Sequence, residues 1–154
     1  GTSIRDADLK YLRDQIALVS QETKLFNESI AYNILYGTKM TKSRLHTLIQ
    51  DLGLRNTVFK HVPQYLDTRV GVQGSHLSHG QRQVVLILRA YCKNTKIMLL
   101  DEPTASLDQD TTQWIVDLLE KIKQTRTVIV VTHDKLSLKA KRIHLTYPVP
   151  QPPK

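Results

Sequence analysis

The chain has 154 residues, 40% hydrophobic and 23% charged, enough for one core and ordinary for a globular protein. Its apolar runs reach only four or five residues, which excludes a membrane-spanning helix, and a single cysteine, Cys92, excludes an internal disulfide and fits a reducing compartment. The net charge of +8 points to nucleic acid only at first sight. Residues 1–134 hold 17 Lys and Arg against all 14 acids, and the excess comes from Lys135, Lys139, Lys141, Arg142 and Lys154; such a local basic stretch is no stripe across a domain face, so no nucleic acid is expected.

The opening GTSIRDADLK is polar and unlike a signal peptide. Leu9, Leu12 and Arg13 mark a short helical turn leading into a strand over 16–19. The polar loop SQETKLFNES follows, with Gln21, Leu25 and Phe26. SIAYNIL, 29–35, predicts a helix ending at Gly37, a residue suited to a C-cap. Thr41 or Ser43 caps the next helix, in which Leu45, Leu48, Ile49 and Leu52 have helical spacing and which Gly53 stops. A smaller helix is expected over 54–60, then a loop from Pro63 through Gly71 and Gly74.

LSHGQRQVVLILRAYC comes next. Ser78 and Gln81 have the S-x-x-Q spacing of a capping box, and the helix behind them, to Cys92, is apolar on nearly every side, as a buried helix is. Residues 97–100 form an unbroken apolar run, the pattern of a strand buried on both faces. A helix over 109–124 presents Ile115, Leu118, Leu119 and Ile122 on one side. A second fully buried strand spans 127–132 and ends at His133. A basic helix from about Lys135 and a short strand over 143–147 complete the pattern, and the tail PVPQPPK is extended or disordered. Strands separated by helices indicate a parallel α/β sheet; residues 23–91, without a strand signal, read as a helical insert.

The strand at 97–100 runs into Asp101 and Glu102. Open α/β folds bind ligands at the carboxyl edge of the sheet, where these acids are delivered. Asp101 suits magnesium, a hard cation held by one or two carboxylates plus phosphate oxygens. Glu102 suits a water, as its base. On these two residues alone, a core strand ending in a solvated acidic turn is the simpler reading. For Ser78 and Gln81 a plain helix cap stands beside an anion site at a helix N-terminus. For Asp108 an N-cap of the helix at Gln109 stands beside a functional role.

Five segments, in this order, resemble the motifs of the ATP-binding domains of ABC transporters over residues 2–146. LVSQET, with Gln21, resembles the Q-loop; LSHGQRQ, 77–83, the signature motif; IMLLDEP, Walker B and the catalytic glutamate; SLD, 106–108, the D-loop; VTHD, the switch-histidine loop. LFNESIAYNILYG, 25–37, and DTRVGVQG, 67–74, resemble the helix after the Q-loop and the X-loop of the exporter branch, half-transporter and multidrug types included, although Arg69 stands where that branch has glutamate.

The resemblance implies a P-loop NTPase-like ABC ATPase core, α/β with a mostly parallel sheet, plus an α-helical subdomain. The core is expected at 1–22 and 92–147, the helical subdomain at 23–91 and a Pro-rich tail at 148–154. ATP and Mg2+ are the implied cofactors, with Asp101 and Gln21 toward the metal. Glu102 is implied to polarise the attacking water, and His133, as a neutral imidazole, to hydrogen-bond the γ-phosphate. Ser78, His79, Gly80 and Gln81 are implied to face the γ-phosphate of the opposite subunit in a head-to-tail dimer, and Asp108 to orient the partner's Walker A. The implied partners are that second nucleotide-binding domain and a transmembrane domain met through the Q-loop and X-loop regions. The chain is then expected on the cytosolic or matrix side of a membrane.

Two departures matter. His79 replaces the first glycine of the usual LSGGQ, where a bare backbone lets a nucleotide approach. No glycine is followed by lysine, so the phosphate-cradling G-x-x-x-x-G-K-[ST] loop is absent. The resemblance places that loop before Gly1, which makes the chain an incomplete domain, expected to bind MgATP very weakly by itself and to leave apolar sheet exposed. A catalytically silent regulatory module, or a non-transport ABC ATPase of the DNA-repair or SMC type, are the alternatives. The second lacks support, because no coiled-coil or DNA-binding insertion is present.

Overall fold

The computed structural model describes residues 3–20 and 22–144. Among these, β1 (Ile16–Val19), β2 (Ile97–Asp101) and β3 (Thr127–Val131) form one sheet, all parallel and in that order, with Leu18 beside Leu99 and Leu99 beside Ile129. Parallel neighbours need long crossovers. The first carries α2 (Ile30–Leu35), α3 (Lys42–Asp51) and α4 (His79–Cys92); the second is α5 (Gln109–Ile122). α1 (Leu9–Gln15), capped by Asp8, leads into β1. No helix among the described residues is long and apolar enough to cross a membrane.

Local chemistry sets these boundaries. Ser29 caps α2 through Tyr32 N–H (3.1 Å), and Thr41, not Ser43, caps α3 through Arg44 N–H (3.2 Å). Gly53, at φ +74°, takes the left-handed turn that stops α3. The helix expected over 54–60 is shorter: a 3-10 turn at Leu54–Asn56 gives way where Thr57 leaves helical backbone (φ −116°, ψ −92°) and bonds Gly53 O with its hydroxyl.

α4 is buried all round, as its composition predicts. Val84, Val85, Ile87 and Leu88 are wholly inaccessible, and the helix packs against β1, α2 and α5. Each such side chain contributes roughly 1.5–3 kcal/mol by leaving water. They join one continuous core with Ile30, Ile34, Leu45, Ile49, Met98, Leu100, Ile115 and Leu119.

The strands depart from expectation. Only one sheet face, with Ala17, Val19, Met98 and Leu100, is buried. Its opposite face shows Leu18 at 60%, Ile129 at 46% and Val131 at 58% exposure. An unbroken apolar run states that both faces avoid water, not that this stretch of chain covers both. The basic helix expected from Lys135 is also absent: residues 135–144 run without regular structure. Their polar groups bond elsewhere. Lys139 N–H donates to Glu120 Oε1 (2.7 Å) and Lys123 Nζ to Lys139 O (2.5 Å), so Lys139 is held by α5 and its C-cap residue, while Arg142 Nη2 reaches back to Leu136 O (2.9 Å) within the segment. Ile143 and His144 belong to no strand; the rest of the strand expected over 143–147, and the proline-rich tail, lie outside the described residues.

Candidate functional site

β2 ends at Asp101, opposite Val131 of β3. The next residue, Glu102, adopts φ +49°, and its N–H donates to Val131 O (2.8 Å). A left-handed conformation costs a non-glycine residue about 1–2 kcal/mol and is retained where surrounding bonds hold it. Here they do. Glu102 Oε2 accepts from the Thr132 hydroxyl (3.0 Å), and Oε1 from His133 N–H (3.1 Å) and His133 Nδ1–H (2.8 Å). Partial burial pushes the Glu102 carboxyl up, but the bonds from His133 and Thr132 outweigh it and hold it below the ordinary carboxylate range. Conversely, the hydrogen bond and charge of Glu102, with Asp134 adding to them, raise His133 above the ordinary imidazole value.

Asp134 closes the group. Its N–H donates to Thr132 Oγ1 (3.0 Å), and Thr104 Oγ1 lies 3.5 Å from its Oδ2. Ligand-type atoms of Glu102, His133 and Asp134 lie within 4.8 Å of one another. Asp101 stands apart: its exposed carboxylate pairs with no side chain among the described residues. Oxygen-only donors suit magnesium, so the free carboxylate of Asp101 fits that ion and the His133 imidazole does not. Gln21 lies outside the described residues.

The start of α4 is a full capping box. Ser78 Oγ accepts from Gln81 N–H (3.1 Å) while Gln81 Oε1 accepts from Ser78 N–H (3.0 Å). Gln81 Nε2 also donates to Val58 O (3.1 Å), so both ends of that amide are occupied. The Ser78 hydroxyl keeps its proton free to donate. Gly80 is buried and His79 exposed. His79 and Glu102 line one cleft of about 590 Å³, with Lys24, Arg82 and Ser106. Asp108 caps α5, accepting from Thr111 N–H (2.9 Å) and Thr111 Oγ1 (2.8 Å). The Thr111 amide, then its hydroxyl, hold the Asp108 carboxyl below its usual range.

The structure therefore brings Glu102 and His133 into contact and sets Asp101 at the same sheet edge. Ser78 to Gln81 and Asp108 begin two adjacent helices, and of these residues His79 lines the cleft that Glu102 also lines. Three participants escaped the sequence reading: Thr132, Asp134 and Thr111. The first two flank His133 in TVIVVTHD, and a polar pair bracketing a histidine at a strand end is the signal that could have found them.

A family model described as ABC transporter matches residues 1–105. The ATP-dependent lipid A-core flippase of Burkholderia orbicola is 39% identical over 133 residues, covering 86% of this chain and 22% of the flippase. Multidrug resistance protein pgp-1 of Caenorhabditis elegans is 38% identical over 136 residues, 86% of this chain and 10% of its own length. Among solved structures, a bacterial Atm1-family ABC exporter with ATP bound superposes with a TM-score of 0.69 at 34% identity, over 81% of this chain and 22% of the exporter. The chain thus spans about a fifth of the length of the first curated relatives it matches. On the family match and on these identities, the chain belongs to the ABC transporter family.

Proposed function

We propose that this chain is the ATP-hydrolysing portion of an ABC exporter, in which ATP hydrolysis drives transport across a membrane. The observation that carries the reading is the Glu102 carboxylate, kept ionised by His133 and Thr132 at the carboxyl edge of a parallel sheet. Phosphoryl transfer asks a protein mainly for positioning and electrostatics. Glu102 accepts a proton from the attacking water and sets its line of approach. With Nδ1–H given to Glu102, His133 Nε2 donates to a γ-phosphate only as the imidazolium, and the carboxylate beside it favours that form. Asp101 and Gln21 would hold a magnesium ion, which would supply neutralisation of phosphate charge.

Ser78, His79, Gly80 and Gln81 are proposed to meet the nucleotide of a second such domain in a head-to-tail dimer. The free Ser78 proton and the N–H groups at the start of α4 support this. Exposed His79 adds bulk there without disturbing its own chain. Asp108 is proposed to face the same partner. The membrane domain is proposed to dock beside residues 67–74, tied to α2 by Ile30 N–H to Thr68 O and Val70 N–H to Glu28 O (both 3.0 Å). Arg69 there lies 3.8 Å from Glu28. Exposed Phe26, Tyr32 and Tyr36 form one aromatic cluster on and around α2. In this reading residues 1–22 and 92–147 are the core and 23–91 the helical subdomain, on the cytosolic or matrix side.

The test is Glu102→Gln in the natural protein. It keeps ATP binding and lowers turnover by about 10²–10⁴-fold, the usual contribution of a general base. Unchanged turnover removes the base assignment. A parent protein that binds ATP without turnover favours the silent regulatory module.

A further inference from the structure

Gly80 is the second residue of α4, and the element packed against it is the first turn of α5. A Cβ at residue 80 would overlap Thr111 Cγ2 and stand 3.2 Å from Thr111 Cβ and 3.3 Å from Thr111 Oγ1. Thr111 is buried and cannot turn out into solvent. Its other substituents are committed to Asp108, through N–H to Oδ1 (2.9 Å) and Oγ1–H to Oδ2 (2.8 Å). One side chain therefore faces two ways: its methyl fills the space left by the missing side chain of Gly80, and its hydroxyl orients the carboxylate that caps α5.

We propose that Thr111 is a positioning residue that locks the start of α4 and the turn before α5 into one unit, so that Ser78–Gln81 and Asp108 present themselves at a fixed separation. This rests on the proposed nucleotide contact of Ser78–Gln81. It gives residue 80 a reason to be glycine that lies inside its own chain, separate from any approach of a nucleotide. A methyl on residue 80 displaces Thr111, and with it Asp108. Turning Thr111 about its Cα–Cβ bond to clear the methyl carries Oγ1 off Asp108 Oδ2, so relief of the overlap costs the bond that orients that carboxylate.

The test uses four variants of the natural protein: G80A, T111S, T111V and the double variant G80A/T111S. Each is read by thermal melting and by kcat and KM for ATP. Alanine is the better helix former, so without the overlap G80A would melt higher than the parent; a lower melting temperature is expected. Serine at 111 removes Cγ2 and keeps Oγ1, and the distances that remain are relieved by a few tenths of an ångström. The double variant is therefore expected to recover at least half of the lost melting temperature and turnover. T111V keeps the methyl and the N–H bond to Asp108 Oδ1 but loses the hydroxyl bond to Oδ2; it is expected to lower kcat about tenfold with KM nearly unchanged, the pattern of an interaction used in the transition state. T111S is expected to keep most of the turnover.

A double variant as impaired as G80A in melting and turnover overturns the packing. T111V with the parent's kcat overturns the positioning role. If the parent protein shows no ATP turnover, the proposed function fails; the melts then still decide whether Thr111 is what requires glycine at 80.

Discussion

At the scale of single residues, Glu102 and His133 set each other's charge. The signs differ. His133 is raised, so its share of stability is full below the unfolded value of 6.5 and is lost as pH rises through the folded pKa. Glu102 is lowered, so its share is full above the unfolded value of 4.5 and is lost as pH falls through the folded pKa. The pair is strongest between those two values. The measurement is an NMR titration of the His133 ring in the isolated chain: a midpoint above 6.5 is expected, moving back toward 6.5 in Glu102→Gln. A parent midpoint at or below 6.5 would show that the two are not paired. Asp101, Glu102 and His133 were legible in the sequence because each ends an apolar run. Thr132 and Asp134 were not, since their roles depend on the turn at Glu102 that points its carboxylate across to residues 132 and 133. Cys92, whose thiol burial pushes up to about 12, is a core residue, which its place at the end of an all-apolar helix already indicated.

At the scale of elements, α4 carries the least obvious interaction. Its apolar character is plain in VVLIL, yet Arg89, one residue on, is only 8% exposed. No carboxylate among the described residues meets it. Its Nε donates to Asn33 O (2.7 Å), Nη2 to Asn33 Oδ1 (2.6 Å) and Nη1 to Lys24 O (3.2 Å), and its guanidinium lies 5.2 Å from the centre of the Phe26 ring. Burial pushes its pKa down, with Tyr36 opposing. Asn33, wholly buried, in turn accepts from Phe26 N–H (2.9 Å) and donates to Phe26 O and Ser29 O (both 3.0 Å). The fork thus fastens the segment at 24–26 and α2 to α4. Lysine cannot make three such bonds in one plane. Arg89→Lys and Arg89→Met are expected to cost about 2–4 kcal/mol, since each leaves buried carbonyls without donors. Urea unfolding of the isolated chain reads this; a loss within about 0.5 kcal/mol, as at an ordinary surface site, would mean the fork is dispensable.

At the scale of the whole molecule, the described residues cover the sheet on one side only. Leu18, Ile129 and Val131 lie on the open face, and Met98 and Leu100 on the covered one. Ile129→Lys in the isolated chain is therefore expected to change stability by no more than about 0.5 kcal/mol. Leu100→Ala is expected to cost about 2–5 kcal/mol. Equal costs would mean that both faces are packed. Without a glycine–lysine phosphate loop, the isolated chain also lacks the row of N–H groups that grips β- and γ-phosphates. Calorimetric titration is expected to show MgATP binding weaker than micromolar; micromolar binding would mean that other groups provide the grip.

The sequence by itself determined the three strands and the main helices between them, the capping box at Ser78 and Gln81, the burial of α4 and the acids and histidine at strand ends. These are local matters: apolar period, capping chemistry and the end of an apolar run are written in neighbouring residues. Only the tertiary structure decided which face of the sheet is open, that Lys139 bonds to the end of α5 instead of lying in a helix, and that Thr111 stands between Gly80 and Asp108. Each of these depends on contacts between residues far apart in the chain. In no case does the local sequence carry the partner's position.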